Sequence, residues 1–167
     1  MHAIKNALFV TLTVCALAAC APKPADTAAD EAAMKAGTEA WIAAYTVGDV
    51  DKMVALYADD AIVMPPDAPA AVGHDAMRTY LVADSAASKS AGIKLVLGAS
   101  ASGVSGDLGW HSGVFKIVAA AGATVGTGKY CEVWHKANGK WLLIRDIWNS
   151  DAPSAPASAT AAAVPAR

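Results

Sequence analysis

The sequence predicts an α+β domain in which a curved antiparallel sheet is folded over three N-terminal helices. Two observations carry this prediction. In the first half of the chain, apolar residues recur at the three- and four-residue spacing of a helix. From Ile93 onward, four extended runs are separated by short turn sequences that contain glycine. Helices followed by an antiparallel meander are typical of the α+β class.

The first helix is predicted to begin near Thr27 and to end at Gly48. Thr27 stands three residues before Asp30, as in a capping box, and a glycine is the usual residue after a helix end. Between these limits an amphipathic stripe at helical spacing is expected to face the core. Its members are Met34, Thr38, Trp41 and Tyr45.

Two further helices and one strand are predicted before the meander. Asp49 is expected to cap a short second helix, and residues 73–85 form the third, with a loop after them. Between these helices, "AIVM" is a short strand that Pro65 and Pro66 bring to an end.

The last strand of the meander, "WLLIRDIWNS", contains a carboxylate where an apolar residue is expected. At period two, Asp146 falls on the same face as Leu142, Ile144 and Trp148. Asn138-Gly139, just before this strand, is a strong signal for a hairpin. We therefore expect the Asp146 face to line a cavity, because a cavity can supply the polar partners that a sealed core lacks.

The two ends of the chain are expected to lie outside the domain. Residues 1–19 have the basic start and apolar run of a secretory signal, and Leu17 to Cys20 resembles the lipobox of bacterial lipoproteins. Residues 20–29 are then a tether, 30–151 the domain and 152–167 a disordered tail rich in Ala, Pro and Ser. The expected location is the cell envelope, anchored to the membrane by lipid on Cys20, and the periplasmic side of the outer membrane if the source is Gram-negative.

Charge and cysteine content restrict the possible partners. With 13 basic and 15 acidic residues, the formal net charge is −2, which argues against a nucleic-acid partner. After signal removal and lipidation of Cys20, Cys131 is the remaining cysteine, so an internal disulfide is excluded. We expect Cys131 to be a small buried residue in a strand.

Several motifs together resemble the nuclear transport factor 2-like superfamily, and in particular its SnoaL-like and ketosteroid isomerase-like members. They are "WIAAYTVGDVDKMVALYADDAIVMPP", "GHDAMRTYL", "GDLGWHSGVF", "GTGKYCEVWHKANGKW" and "IRDIWNSD", in the family's order and spacing over essentially the whole domain. The resemblance implies a cone-shaped fold, a strongly bent sheet wrapped round helices, with a pocket at its open end. Enzymes, binding proteins and scaffolds share this frame, so it does not determine the function.

The ketosteroid isomerase residues themselves are altered in this chain. The resemblance places Pro65 where those enzymes have their carboxylate base, and Trp41 where they have a tyrosine that stabilises the oxyanion. Proline cannot accept a proton, and an indole has no phenol group. Ketosteroid isomerase activity is therefore not expected.

A pair of carboxylates, Asp146 and Glu132, remains as the candidate catalytic group. Whether they share a face depends on the turn between their strands. A two-residue type I′ turn at Asn138-Gly139 puts Glu132 opposite Arg145, away from Asp146; a three-residue loop with a bulge puts it opposite Ile144, on the Asp146 face. The turn sequence favours the first arrangement, and the resemblance implies the second.

The predicted ligand-binding residues form an aromatic pocket around Asp146. They are Trp41, Tyr45, Tyr57, Trp110, Asp146 and Trp148. Tyr and Trp combine large apolar area with a polar tip, which suits a partly wet cavity. By strand alternation, His111 and His135 are expected to point away from this pocket.

Three functions remain open at this point. The first is binding of a small, mostly apolar molecule; the second is a lyase, isomerase or cyclase that uses Asp146 or Glu132; the third is a scaffold that forms a homodimer through its exposed sheet face and whose pocket is vestigial. No spacing of His, Cys and carboxylates resembles a metal site, and no glycine-rich phosphate loop is present, so neither a metal nor a cofactor is predicted.

Overall fold

The structure, a computed structural model, describes residues 27–152. The predicted signal and Cys20 lie outside the described residues, as do all but the last three residues of the tether and all but the first residue of the tail. The helices are α1 (Ala28–Val47), α2 (Val50–Val54) and α3 (Gly73–Ser90). The strands are β1 (Tyr57–Met64), β2 (Ala71–Val72), β3 (Ile93–Ser105), β4 (Leu108–Ala119), β5 (Thr124–Ala137) and β6 (Lys140–Ser150).

The predicted α+β class is confirmed. The six strands form one curved, open sheet in the order β2-β1-β6-β5-β4-β3. Neighbouring strands are antiparallel except β1 and β6, which run parallel because α3 and the meander lie between them in the chain. No helix among the described residues has the length and apolar character needed to cross a membrane.

Helix α1 follows its predicted stripe, although its start differs from the expectation. The Thr27 hydroxyl donates to the Glu31 carboxylate at 2.7 Å and makes no capping bond to the backbone, so the expected capping box is absent. The helix begins at Ala28, inside the predicted tether. At its end, Gly48 adopts a left-handed conformation (φ 77°) and its N–H reaches the carbonyls of Ala44 and Tyr45, as expected for a glycine C-cap.

The hydrophobic core lies between the helices and one face of the sheet, here called the inner face. Its centre consists of fully buried side chains from every helix and from β5 and β6: Met34, Met53, Met77, Leu81, Trp134 and Leu143. The opposite, outer face carries Cys131, which is exposed. The expectation that Cys131 is buried is therefore wrong, because strand alternation turns it away from its buried neighbour Glu132.

The β5–β6 hairpin combines features of both predicted turn arrangements. Asn138 and Gly139 have positive φ angles of 52° and 77° and join the paired residues Ala137 and Lys140, so the loop has two residues. Further along, Trp134 pairs with Leu143 and Val133 pairs with Arg145, which leaves Ile144 as an extra residue in β6.

This bulge shifts the register by one residue and brings Glu132 directly opposite Asp146. Neither predicted partner of Glu132, Arg145 or Ile144, is correct. The predicted alternation in β6 also fails before the bulge, where Leu143 rather than Leu142 packs in the core.

Candidate functional site

Three titratable side chains form a row across the inner face. His111 of β4 stands opposite Glu132 of β5, which stands opposite Asp146 of β6. All three are buried. The expectation that His111 points away from the pocket face is wrong, because it shares the inner face with both carboxylates.

Glu132 receives donors from a helix and from two strands. Its Oε2 accepts from the Thr38 hydroxyl of α1 at 2.6 Å and from the Trp134 indole at 3.1 Å. His111 Nδ1 lies 2.9 Å from Thr38 Oγ1 and 3.2 Å from Glu132 Oε2. The Thr38 hydroxyl makes its shortest contact with Glu132, and His111 Nδ1 completes this buried cluster of polar atoms.

Asp146, at the other end of the row, has one protein donor. The Tyr57 hydroxyl donates to Oδ2 at 2.6 Å, and no described residue donates to Oδ1. The residue is only 6% exposed. Burial first, and then the neighbouring charge of Glu132, raise the pKa of Asp146 to about 7, although the Tyr57 hydrogen bond acts in the opposite direction. The pKa of Tyr57 is raised well above its usual value by burial and by Asp146, so Tyr57 remains a donor.

Asp146 forms part of the wall of a cavity between the helices and the inner face. The cavity has a volume of about 250 Å³. Its lining residues come from α1, α3 and strands β3 to β6: Trp41, Ile42, Tyr45, Asp84, Ser88, Ile93, Leu95, Phe115, Ile117, Tyr130, Asp146, Trp148 and Ser150. Aliphatic and aromatic side chains dominate this surface, and Glu132 is not part of it.

Two stacked aromatic rings of α1 cover one side of the cavity. Trp41 and Tyr45 have ring centroids 5.0 Å apart and planes inclined by 13°. The Tyr45 hydroxyl donates to Asp84 Oδ2 at 2.7 Å and also contacts the Ser88 hydroxyl. The buried indole N–H of Trp41 has no hydrogen-bond partner of normal geometry among the described residues. It lies close to the Tyr57 hydroxyl, and this proximity acts to lower the pKa of Tyr57, against the larger effect of burial.

The structure brings most of the predicted ligand-binding residues together. Trp41, Tyr45, Asp146 and Trp148 line the cavity, and Tyr57 lies behind Asp146 as its hydrogen-bond donor. Trp110 does not belong to this group: it is 44% exposed, and its pairing with Gly103 and Val133 puts it on the outer face. His135 also lies away from the cavity, as expected, with Nε2 3.5 Å from Asp107.

Asp84 and Ser88 are lining residues that the predicted pocket does not include. The sequence predicts that the third helix ends at Ser85, but α3 continues to Ser90. A signal for the longer helix is present, because Tyr80, Asp84 and Ser88 recur every four residues and therefore share one helix face. Within residues 27–152, no group of three or more His, Cys, Asp and Glu side chains is arranged to hold a metal ion.

Comparisons with known proteins agree with this architecture. A model of the SnoaL-like domain matches residues 38–144. A nuclear transport factor 2-like protein with a cystatin-like fold from Novosphingobium aromaticivorans superposes with a TM-score of 0.68 at 15% identity, covering 77% of this chain and 86% of that one. No curated protein matches the chain.

Two further solved structures have the same fold. A cystatin-like-fold protein from Nostoc punctiforme gives a TM-score of 0.67 at 20% identity, covering 78% of this chain and 96% of that one. A ketosteroid isomerase-like protein from Erwinia carotovora gives 0.58 at 20% identity, covering 74% and 98%. At these identities the similarity concerns the fold.

Proposed function

The chain belongs to the family of SnoaL-like domains, within the nuclear transport factor 2-like superfamily, and on that premise we propose that it catalyses proton transfer in a small, largely apolar molecule. The reaction class is isomerisation or elimination, with Asp146 as the acid-base group. One observation carries the proposal: a buried carboxyl group that has one donor among residues 27–152 forms part of an otherwise largely apolar cavity wall.

The environment of Asp146 suits general acid-base catalysis. A group is most effective when its pKa lies near the operating pH, because it is then readily available in either protonation state. Burial and the charge of Glu132 bring the pKa of Asp146 to about 7. Oδ2 is held by Tyr57, which fixes the orientation of the carboxylate and leaves Oδ1 for the substrate.

A balanced reaction needs one proton to leave the substrate and one to return. Asp146 Oδ1 removes a proton from a carbon next to a substrate carbonyl group; the C–H electron pair forms a C=C bond to the carbonyl carbon, and the carbonyl π pair moves onto oxygen. As the carbonyl group re-forms, the proton is returned to a second carbon in an isomerisation; in an elimination the C–O bond of a β-hydroxyl group breaks instead, and the proton leaves with that group as water.

The cavity also restricts the size of the substrate. At about 250 Å³ it is smaller than the pockets of roughly 300–1,000 Å³ that enclose drug-sized ligands. Together with Pro65 and Trp41 at the altered positions, this volume supports a substrate smaller than a steroid.

Deuterium exchange from the solvent tests the proposal on many candidate substrates at once. The protein is incubated in D₂O with a panel of single-ring ketones, some of which carry a β-hydroxyl group, and deuterium incorporation at carbon is followed by mass spectrometry. We expect the wild type to accelerate exchange into at least one compound and Asp146→Asn to abolish the acceleration. Equal exchange by Asp146→Asn, or no accelerated exchange at all, would contradict the proposal.

Binding without catalysis is the second candidate function. The stacked pair Trp41 and Tyr45 favours it, because flat aromatic walls bind an apolar ligand without any chemistry. A compound that co-purifies with the protein, identified by mass spectrometry, and that exchanges no deuterium would establish this alternative.

The proposed setting is the cell envelope, with Cys20 as the lipidated residue. Residue 20 lies outside the described part of the chain, so the proposal rests on the lipobox-like sequence ending at Cys20. Cys20→Ser is expected to release the protein from the membrane fraction or to leave it unprocessed, as seen by fractionation and gel mobility. Wild-type behaviour of this variant would refute the anchor.

The outer sheet face is the proposed site of homodimerisation. It carries large apolar side chains that are between 44% and 48% exposed: Val96, Trp110, Val114 and Ile147. Exposed apolar patches of this kind often mark protein contacts. Light scattering of the wild type and of Val114→Lys tests this arrangement. A dimeric wild type and a monomeric variant support it, whereas a variant that remains dimeric places the interface elsewhere.

A further inference from the structure

We propose that the molecule held in the cavity is a small organic cation, an amine or quaternary ammonium on an apolar body. This inference shares with the proposed function the cavity in which the ligand lies. It adds the chemical class of that ligand. It follows from the combination of charge and aromatic surface in the cavity wall.

The charged groups of the wall are all acidic. Asp84 and Asp146 line the cavity, and none of the described residues that line it is Lys, Arg or His. Glu132, the cross-strand neighbour of Asp146, adds a further carboxylate behind the wall. An anionic ligand would therefore find no counter-charge here and would meet repulsion, whereas a cation would meet attraction strengthened by the low polarity of the surroundings.

The two carboxylates belong to different elements but act on one region. Asp84 lies on α3 and Asp146 on β6; burial first, then Asp84, and to a smaller extent Asp146 raise the pKa of Tyr80, on α3. Each accepts from a tyrosine hydroxyl through Oδ2, Asp84 from Tyr45 and Asp146 from Tyr57. A cation in the cavity is therefore attracted by a carboxylate of α3 and by one of β6, and Asp146 Oδ1, to which no described residue donates, stays available.

The remaining wall suits a cation as well. Five aromatic side chains line the cavity: Trp41, Tyr45, Phe115, Tyr130 and Trp148. The faces of such rings carry partial negative charge and attract ammonium groups, most strongly where water is excluded. A neutral apolar ligand would use the rings equally well but would leave the charge of both carboxylates uncompensated, so the wall as a whole matches a charged amine.

Asp146 gives the proposal a distinctive pH dependence. A cation favours the ionised form of Asp146, so its binding drives release of a proton from that group. The groups that face Asp146 are Glu132 of β5, whose charge disfavours the ionised form, Tyr57 of β1, whose hydrogen bond favours it, Asp84 of α3, which lines the same cavity, and Tyr80 of α3, whose own pKa is raised. Because the pKa of Asp146 is about 7, affinity for a cation is expected to rise about tenfold between about pH 6 and pH 8.

Three probes of one size provide the test: benzylamine, benzyl alcohol and benzoate, titrated by calorimetry into the wild-type protein. We expect benzylamine to bind at least tenfold more tightly than benzyl alcohol at about pH 8, and benzoate not to bind. At about pH 7, calorimetry in buffers of different ionisation heat should show proton release with benzylamine only. Binding of benzyl alcohol or benzoate as tight as that of benzylamine, or no binding of benzylamine at millimolar concentration, would overturn the proposal.

Charge-removing variants locate the effect. Asp84→Asn and Asp146→Asn are expected to weaken benzylamine about tenfold each and to leave benzyl alcohol within about twofold. Asp60→Asn removes the same charge from an exposed position of β1 and serves as the matched control, with no change expected. Equal loss for both probes would show a packing defect and would contradict a charge-based site.

The outcome is independent of the catalytic proposal. Deuterium exchange that depends on Asp146 together with no preference for benzylamine would retain proton transfer and remove the cation. Preference for benzylamine together with no exchange in any compound would retain the cation and remove proton transfer.

Discussion

Two carboxylates stand side by side on the inner face, and their surroundings differ. Glu132 accepts hydrogen bonds from a threonine and a tryptophan and contacts a histidine, and it does not line the cavity. Asp146, directly opposite, has one tyrosine donor and forms part of the cavity wall. A buried acid can thus have two roles: a carboxylate surrounded by donors links elements together, and one left with a free oxygen is available for chemistry.

The structural role of one carboxylate supports the chemical role of the other. Glu132 ties α1 to the sheet through Thr38, and its charge is one of the causes that raise the pKa of Asp146. The structural carboxylate is therefore part of what makes its neighbour suitable for acid-base chemistry near neutral pH.

Removal of Glu132 should give the largest effect. Glu132→Ala leaves Thr38, His111 and Trp134 without their shared acceptor, so we expect a loss of about 3–5 kcal/mol in the free energy of unfolding, measured with urea. Glu132→Gln retains an acceptor oxygen and should lose clearly less. A cost below about 1 kcal/mol for Glu132→Ala would show that the donors around it do not stabilise the fold.

The second-largest effect should be a difference between the wild type and Asp146→Asn in how the free energy of unfolding depends on pH. Its pKa is raised on folding, so the native state binds the proton more tightly, and the wild type loses stability as the pH rises from the unfolded value near 4 towards about 7. Asp146→Asn lacks this loss. Relative to the wild type, the variant should gain about 2–3 kcal/mol between about pH 5 and pH 8, seen in urea unfolding at each pH. A constant difference over this range would place the pKa of Asp146 near its ordinary value.

Thr38 offers a smaller test of the structural end of the row. Thr38→Val removes the hydroxyl that joins His111 and Glu132, and a cost of about 1–2 kcal/mol is expected in thermal or urea unfolding. Thr46→Val is the matched control, since Thr46 is an exposed threonine of the same helix whose hydroxyl donates to the Ile42 carbonyl, four residues back. Equal costs for the two variants would assign the effect to helix propensity instead of the buried row.

The smallest expected effects are opposite shifts in the pKa of Asp146 itself. Tyr57→Phe removes the hydrogen bond that lowers this pKa, so the pKa should rise above about 7; Glu132→Gln removes the neighbouring charge, so the pKa should fall. Carbon-13 chemical shifts of the Asp146 carboxyl group, followed against pH, measure both. Shifts in the same direction for the two variants would contradict the assigned causes.

The sequence is sufficient to predict the elements and part of the site. Periodicity places the stripe of α1, including Thr38, Trp41 and Tyr45, and turn chemistry identifies the two-residue loop at Asn138-Gly139. These are local properties, determined by residues a few positions apart.

The features that the sequence does not predict depend on contacts between distant segments. No glycine or proline near Ile144 indicates a bulge in the sequence. The bulge results instead from pairing between β5 and β6: Trp134 and Leu143 pack in the core, and Glu132 and Asp146 pair further along. The faces of His111 and Trp110 follow from pairing across β3, β4 and β5, which a single strand's alternation cannot reveal. The observed α3 is longer than the predicted helix for another reason. The small and polar residues after Ser85 suggest a loop, but in the structure they continue the helix to Ser90.

The bulge at Ile144 has a consequence for how such a domain can change over evolutionary time. Before the bulge, the odd-numbered residues Trp141 and Leu143 of β6 point to the inner face. After the bulge, the even-numbered residues Asp146 and Trp148 do so. If Ile144 were deleted, the pairing set by the turn would apply to the whole strand, and Asp146 would still stand opposite Glu132. A deletion at this point would therefore remove the bulge and its bend while the acid pair is kept, so the shape of this part of the cavity wall can change separately from its chemistry.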